Sequence, residues 1–202
     1  MNQLTIVNML QNSIQLGLKN AASIVGAAVL WALTAWIPYI NVGTTIALYG
    51  GMIVQISKGE TITPLEIFDK KYRQNMGEFF LLMGFMFAGI MAAAMFFYFP
   101  AFVVAISWSL ALPLFIEKNV TAIEALSLSN KLTYGHKWKI FLGFLVVEIA
   151  VVAAVGIVAW IFSLIHGILG LIIFFVGYLL LIAIIISLMA YIYGELSKEE
   201  VS

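Results

Sequence analysis

The fold class this sequence predicts is all-helical: a polytopic membrane protein with six transmembrane helices. Three observations predict it. First, 63% of the 202 residues are hydrophobic and only 10% are charged, whereas soluble domains are about half apolar and about a quarter charged. Second, the apolar residues gather in six runs, 21–38, 43–57, 79–98, 101–117, 139–163 and 168–194. Third, the charges avoid every second link between those runs. The length suits a single domain, residues 1–202.

The runs are helices and not strands. They lack alternation of period two and are too long for barrel strands. An open sheet in hydrocarbon would leave backbone groups unpaired, whereas a helix pairs its own. About 20 helical residues cross the hydrocarbon layer. The first, third, fifth and sixth runs meet that length. The second is short and holds Gly50 and Gly51, so it either spans a thin region or inserts only partly. The fourth is short too, and Pro113 can bend it near its end.

All ten Lys and Arg lie in one set of segments: Lys19; Lys58, Lys70, Lys71 and Arg73; Lys118, Lys131, Lys137 and Lys139; Lys198. The alternate links, around Pro38–Asn41, Phe99–Pro100 and Leu164–Gly167, carry none. Basic residues are retained on the cytoplasmic side, so both termini are expected there, in a cell (inner) membrane. Nine of the ten acids share that side, and the tenth, Glu148, lies inside the fifth run. The outer face then consists of three tight, uncharged turns. Residues 1–20 interleave Asn8, Gln11, Asn12, Gln15 and Lys19 with apolar positions, unlike the continuous core of a signal peptide.

A threefold repeat is expected within the chain. Thr5, Thr63 and Thr121 are 58 residues apart in each step, each preceded by Leu4, Ile62 or Val120. Asn8, Glu66 and Glu124 follow three residues later. Thr63–Glu66 and Thr121–Glu124 fit a capping box, with an apolar staple onto Ile67 or Ala125. Pro64 suits a first helical position. Each start leads into an amphipathic segment and then two apolar runs. The expected units are 5–62, 63–120 and 121–194, each an interfacial helix on the cytoplasmic side plus a membrane hairpin. In the middle unit, Leu65, Phe68, Tyr72 and Met76 mark the apolar face of such a helix.

Two stretches carry a family resemblance. GTTIALYGGMIVQISKGETITPLEIF and LPLFIEKNVTAIEALSLSNKLTYGHKWKIF resemble segments of bacterial six-span integral membrane proteins of unknown function. The same pattern occurs in the membrane domain of some glycerophosphodiester phosphodiesterases. The matching residues are Pro113, Leu114, Glu117, Ala125, Leu126, Ser129, Gly135, His136 and Trp138. The resemblance covers about two-thirds of the chain. It implies a membrane module and no settled activity. No phosphodiesterase catalytic domain fits in these residues, so that reaction is not expected.

Glu148 is the leading single candidate for function. It lies about ten residues beyond Trp138, near mid-bilayer, where an ionised acid costs about 2.5–3.5 kcal/mol on insertion scales. Two readings are open. It serves a proton or cation pathway, or it is protonated and bonded to Ser107, Ser109, Thr34 or Tyr178 at a helix contact. His136, Lys137, Trp138 and Lys139 form an aromatic-basic membrane entrance suited to lipid headgroups, an anionic partner or simple anchoring. Lys70, Lys71 and Arg73 are a second basic cluster, read as an orientation signal or a lipid site. Gly84, Ala88 and Ala92 recur every four residues as a small-residue packing face, internal or between copies.

Cysteine is absent, which removes disulfides, iron–sulfur clusters and thiolate zinc sites. His136 and His166 are expected on opposite membrane faces and share no metal. Net charge is zero, so no nucleic-acid partner is implied. No catalytic triad, phosphate loop or HExxH motif is present, so no enzymatic activity and no cofactor are expected. The leading expectation is a protein that organises lipid or binds a membrane or cytoplasmic partner through its cytoplasmic-side helices. The alternative is a small transporter or channel that uses Glu148.

Overall fold

The computed structural model describes residues 4–201, and no strand occurs among them. Six helices are long and apolar enough to cross a membrane. Three of them, α1 (Ile6–Leu33), α8 (Lys137–Ser163) and α9 (Gly167–Val201), form an antiparallel bundle. Glycines set its spacing. Gly143 faces the Met9 side chain, Gly177 faces Val155, and Gly17 faces the backbone of Ile184. Between helices in lipid the hydrophobic gain is small, because acyl chains are as apolar as Leu. Close packing and dispersion therefore hold the bundle together, and small residues permit them.

The most buried helix is the second one. It runs from Pro38 to Ser57, as α2 (Pro38–Ile46), a π-helical turn (Ala47–Gly51) and α3 (Met52–Ser57). Trp31 of α1 donates its indole N–H to Thr45 at 2.8 Å. Gly50 meets Leu112 and Ile116 of α6 (Ala111–Lys118), and Ser57 meets Gly194 of α9. Lys58, just beyond α3, pairs with Glu117 at 2.7 Å, and Tyr193 of α9 donates to the other oxygen of that carboxylate.

The expected first interfacial helix and first span are one helix. Met9, Ser13, Gly17, Ile24 and Ala27 form a single buried stripe that runs through the junction. No proline or broken cap interrupts it, and 28 residues reach about 42 Å. The expected amphipathic helix at Leu65–Met76 differs more. That segment forms two 3₁₀ turns, Pro64–Phe68 and Lys70–Arg73, broken at Asp69, whose backbone is extended. Leu65 is exposed while Ile67 and Tyr72 are buried, so the stripe is not the one the spacing predicts. The Thr63 capping box does not close either: Thr63 makes no side-chain cap, and Glu66 accepts from Gln55 instead. Thr5 and Thr121 do cap their helices, on Asn8 N–H at 3.2 Å and Glu124 N–H at 3.4 Å.

The fourth span is broken. It consists of α5 (Tyr98–Ser107) and α6, separated by Trp108–Leu110. A break in an apolar helix frees backbone groups that water would otherwise satisfy. Here α7 (Ala122–Thr133) satisfies them. The fully buried Ser129 hydroxyl donates to Ser107 O at 2.7 Å and accepts from Leu110 N–H at 3.2 Å. Thr133 adds a bond to Ser107 O at 3.4 Å. This helix therefore buries one face, Ala122, Ala125, Leu126, Ser129 and Thr133, against protein.

The helix α4 (Met76–Phe96) corrects another expectation. Gly84, Ala88 and Ala92 are exposed, and a Cβ on Gly84 would meet nothing within 4 Å. The packing glycine is Gly89, which lies against the Trp108 ring. The stripe fails as an internal face because α4 buries its other side, with Phe79 and Leu82.

Candidate functional site

Two contacts join residues that charge sorting places on opposite faces. Arg73 lies over the Tyr39 ring at 5.8 Å, and its stem packs on Gly43. Phe99, at the α4–α5 turn, stacks on Trp138 at the start of α8, with ring centroids 5.8 Å apart. The links around 60–75 and the tip at 96–99 thus fold back along the bundle. Each of these contacts creates a recess.

The larger recess is an apolar cleft of about 550 Å³ between α5 and the α7–α8 corner. Phe99, Phe102, Val103 and Ile106 form one wall; Tyr134, Gly135, Lys137, Trp138 and Phe141 form the other. The corner is shaped locally. Gly135 has φ +80°, a conformation glycine adopts without steric cost, and His136 N–H donates to Thr133 O at 3.0 Å. An aromatic ladder then runs up the cleft: Phe99 to Trp138, Trp138 to Phe141 at 6.1 Å, and Phe141 to Phe102 at 6.1 Å. Edge-to-face and tilted pairs at such spacings are attractive. Lys137 supplies the cation at the rim, where its ammonium donates to Asn130 at 2.9 Å. The size falls within the usual range of ligand pockets, about 300–1,000 Å³.

Of the expected entrance residues, Lys137 and Trp138 line this cleft, His136 is half-buried beside it, and Lys139 points outward. Sequence reasoning missed the α5 wall. The available signal was the aromatic run FFYF at 96–99, which it treated as a plain outer turn.

The smaller recess, about 370 Å³, is lined by Tyr39, Lys70, Arg73 and Gln74. Lys71 turns away from it toward Glu66 at 3.7 Å and Asp69 at 3.5 Å. Asp69 accepts the Lys71 backbone N–H at 3.0 Å, and this bond, with the nearby Lys71 charge, holds its carboxyl below the ordinary carboxylate range.

Glu148 sits on an exposed flank of α8, next to the buried Val147. None of its expected partners bonds to it. Ser107 donates to Val103 O, Ser109 to Ile106 O and Thr34 to Trp31 O, each within its own helix, and no bond joins Tyr178 to Glu148. Hydroxyls in lipid-embedded helices satisfy themselves this way when no better acceptor faces them. His136 and His166 stand at opposite ends of α8, and no group of three metal-ligating side chains occurs among the described residues.

No protein-family model, curated protein or solved structure matches this chain. The site must therefore be read from its own chemistry.

Proposed function

We propose that this protein binds membrane lipid and organises it at one end of the α1–α8–α9 bundle. The observation that carries this reading is the aromatic cleft of about 550 Å³ with Lys137 at its rim. Apolar walls suit an acyl chain, which loses nothing by leaving bulk lipid for a shape-matched surface. The ammonium of Lys137 and the Trp138 indole suit the glycerol–phosphate level of the same lipid. The cytoplasmic side is assigned to this end, where Lys137 and Lys139 begin α8 and Lys198 ends α9. Both termini lie on that side. The three-unit ancestry and the resemblance to six-span bacterial membrane proteins belong to the same proposal. Its support is the caps formed at Thr5 and Thr121, 116 residues apart.

The test is lipid retention. The protein is purified in mild detergent, washed with excess detergent and analysed by native mass spectrometry. One lipid held per chain is the expected result. Val103→Trp, which fills the cleft from the α5 wall, should abolish that retention while the protein stays folded. Retention equal to wild type in Val103→Trp would overturn the assignment.

A further inference from the structure

We infer that the recess beside the α1–α2 turn is a second, separate site, and that it binds the phosphate of an anionic phospholipid headgroup. Three basic residues lie in one turn of chain, and the fold divides them unequally. Lys71 is neutralised by Glu66 and Asp69. Lys70 and Arg73 have no carboxylate within 4.0 Å among the described residues. The recess therefore carries two uncompensated positive charges, which match a phosphate and repel a cation.

The cations are held in place before any ligand arrives. Ser23 of α1 donates to Ile62 O at 2.8 Å, and Pro64 packs on Gly26. The Tyr72 ring is buried against Gly51 of the π-helical turn. Arg73 is fixed at three points. A Cβ on Gly43 would lie 2.5 Å from its Cγ, its Nη2 donates to Phe68 O at 3.1 Å, and its guanidinium lies over Tyr39. One of its five N–H donors is thereby used, and the rest of the planar fork remains available for the oxygens of a phosphate.

The surroundings select a lipid over a soluble phosphate. Trp36 is 90% exposed, and Ile37 and Tyr39 beside it are exposed as well. Exposed Trp and Tyr concentrate at the level of lipid headgroups. A second recess of about 240 Å³ adjoins the first through Gln74 and adds the amides of Asn75 and Asn119. Uncharged amides on that side can hydrogen-bond the hydroxyls of a headgroup such as glycerol. This inference does not rest on the α5–α8 cleft, which lies at the start of α8.

The test uses the full chain in nanodiscs of phosphatidylcholine containing a minority of phosphatidylglycerol. After exchange into pure phosphatidylcholine discs, retained phosphatidylglycerol is measured by mass spectrometry. Wild type should retain it. The Lys70→Gln/Arg73→Gln double variant should bind it about tenfold more weakly, the ratio for loss of one charge-assisted contact. Lys71→Gln should stay close to wild type, because that charge is already compensated. Lys70→Gln alone, at an exposed position, keeps the test open should Arg73→Gln fail to fold. Equal retention in all variants, or a loss in Lys71→Gln as large as in the double variant, would refute the site. Displacement of the lipid by inorganic phosphate alone would assign the recess to free phosphate and overturn the lipid reading. Val103→Trp should leave this preference intact, so failure of one site is distinguishable from failure of the other.

Discussion

Gly17→Ala is the sharpest probe of the bundle. A Cβ there would stand 2.9 Å from the Ile184 Cα and 3.2 Å from its N. Ordinary van der Waals contact lies at 3.4–4 Å. The obstacle is backbone, so no side chain can swing aside, and α1 must part from α9 by several tenths of an ångström. Overpacking of this kind costs about 1–3 kcal/mol. Ala is also about 1 kcal/mol better than Gly inside a helix, which masks part of the cost. Gly84→Ala removes the mask, because its Cβ meets nothing within 4 Å and gains the same propensity. Reversible unfolding of both variants in mixed micelles should therefore place Gly17→Ala about 1–3 kcal/mol below Gly84→Ala. Equal stabilities would show that α1 and α9 do not cross this closely.

Two further outcomes follow from single side chains. Ser129→Ala should destabilise the protein by about 2 kcal/mol in the same unfolding assay, because it orphans Leu110 N–H and weakens the bonding of Ser107 O inside the molecule; Ser127→Ala, on the exposed side of α7, should do nothing measurable. Glu148→Leu should improve insertion of α8 by about 2.5–3.5 kcal/mol in a glycosylation-mapping assay, since an unpartnered acid is replaced on an outward face; loss of a measured ion or proton flux in Glu148→Gln would instead revive a conduction role.

What the sequence made legible was whatever depends on neighbours along the chain. Hydropathy located α8 and α9, whose apolar runs are unbroken, and local chemistry located the caps at Thr5 and Thr121. The strap at 62–73 was misread because its fate is decided at a distance. Glu66 leaves its cap position for Gln55, Ile62 is held by Ser23, and Tyr72 is drawn to Gly51. Trp138 was recognisable as an entrance aromatic, but its partner Phe99 was not. Counting Lys and Arg treats each link as lying at one face. It cannot see that α5 has only 10 residues, about 15 Å, before breaking at Trp108. That break exists because Ser129 and Thr133, on another helix, replace the lost backbone bonds.

The π-helical turn at Ala47–Gly51 acts as a phase shifter in the central helix. Such a turn accommodates one residue more than α-helical winding would, and one residue is about 100° of rotation. The segment before it meets α1 and Arg73; the segment after it meets α9. With uniform winding, Ile53 and Ile56 would be rotated away from the positions they now bury. Glycines at 50 and 51 keep the turn narrow enough for α6 on one side and the Tyr72 ring on the other. Lengthening or shortening this turn by one residue would re-address half of the helix to new neighbours without altering any side chain beyond it.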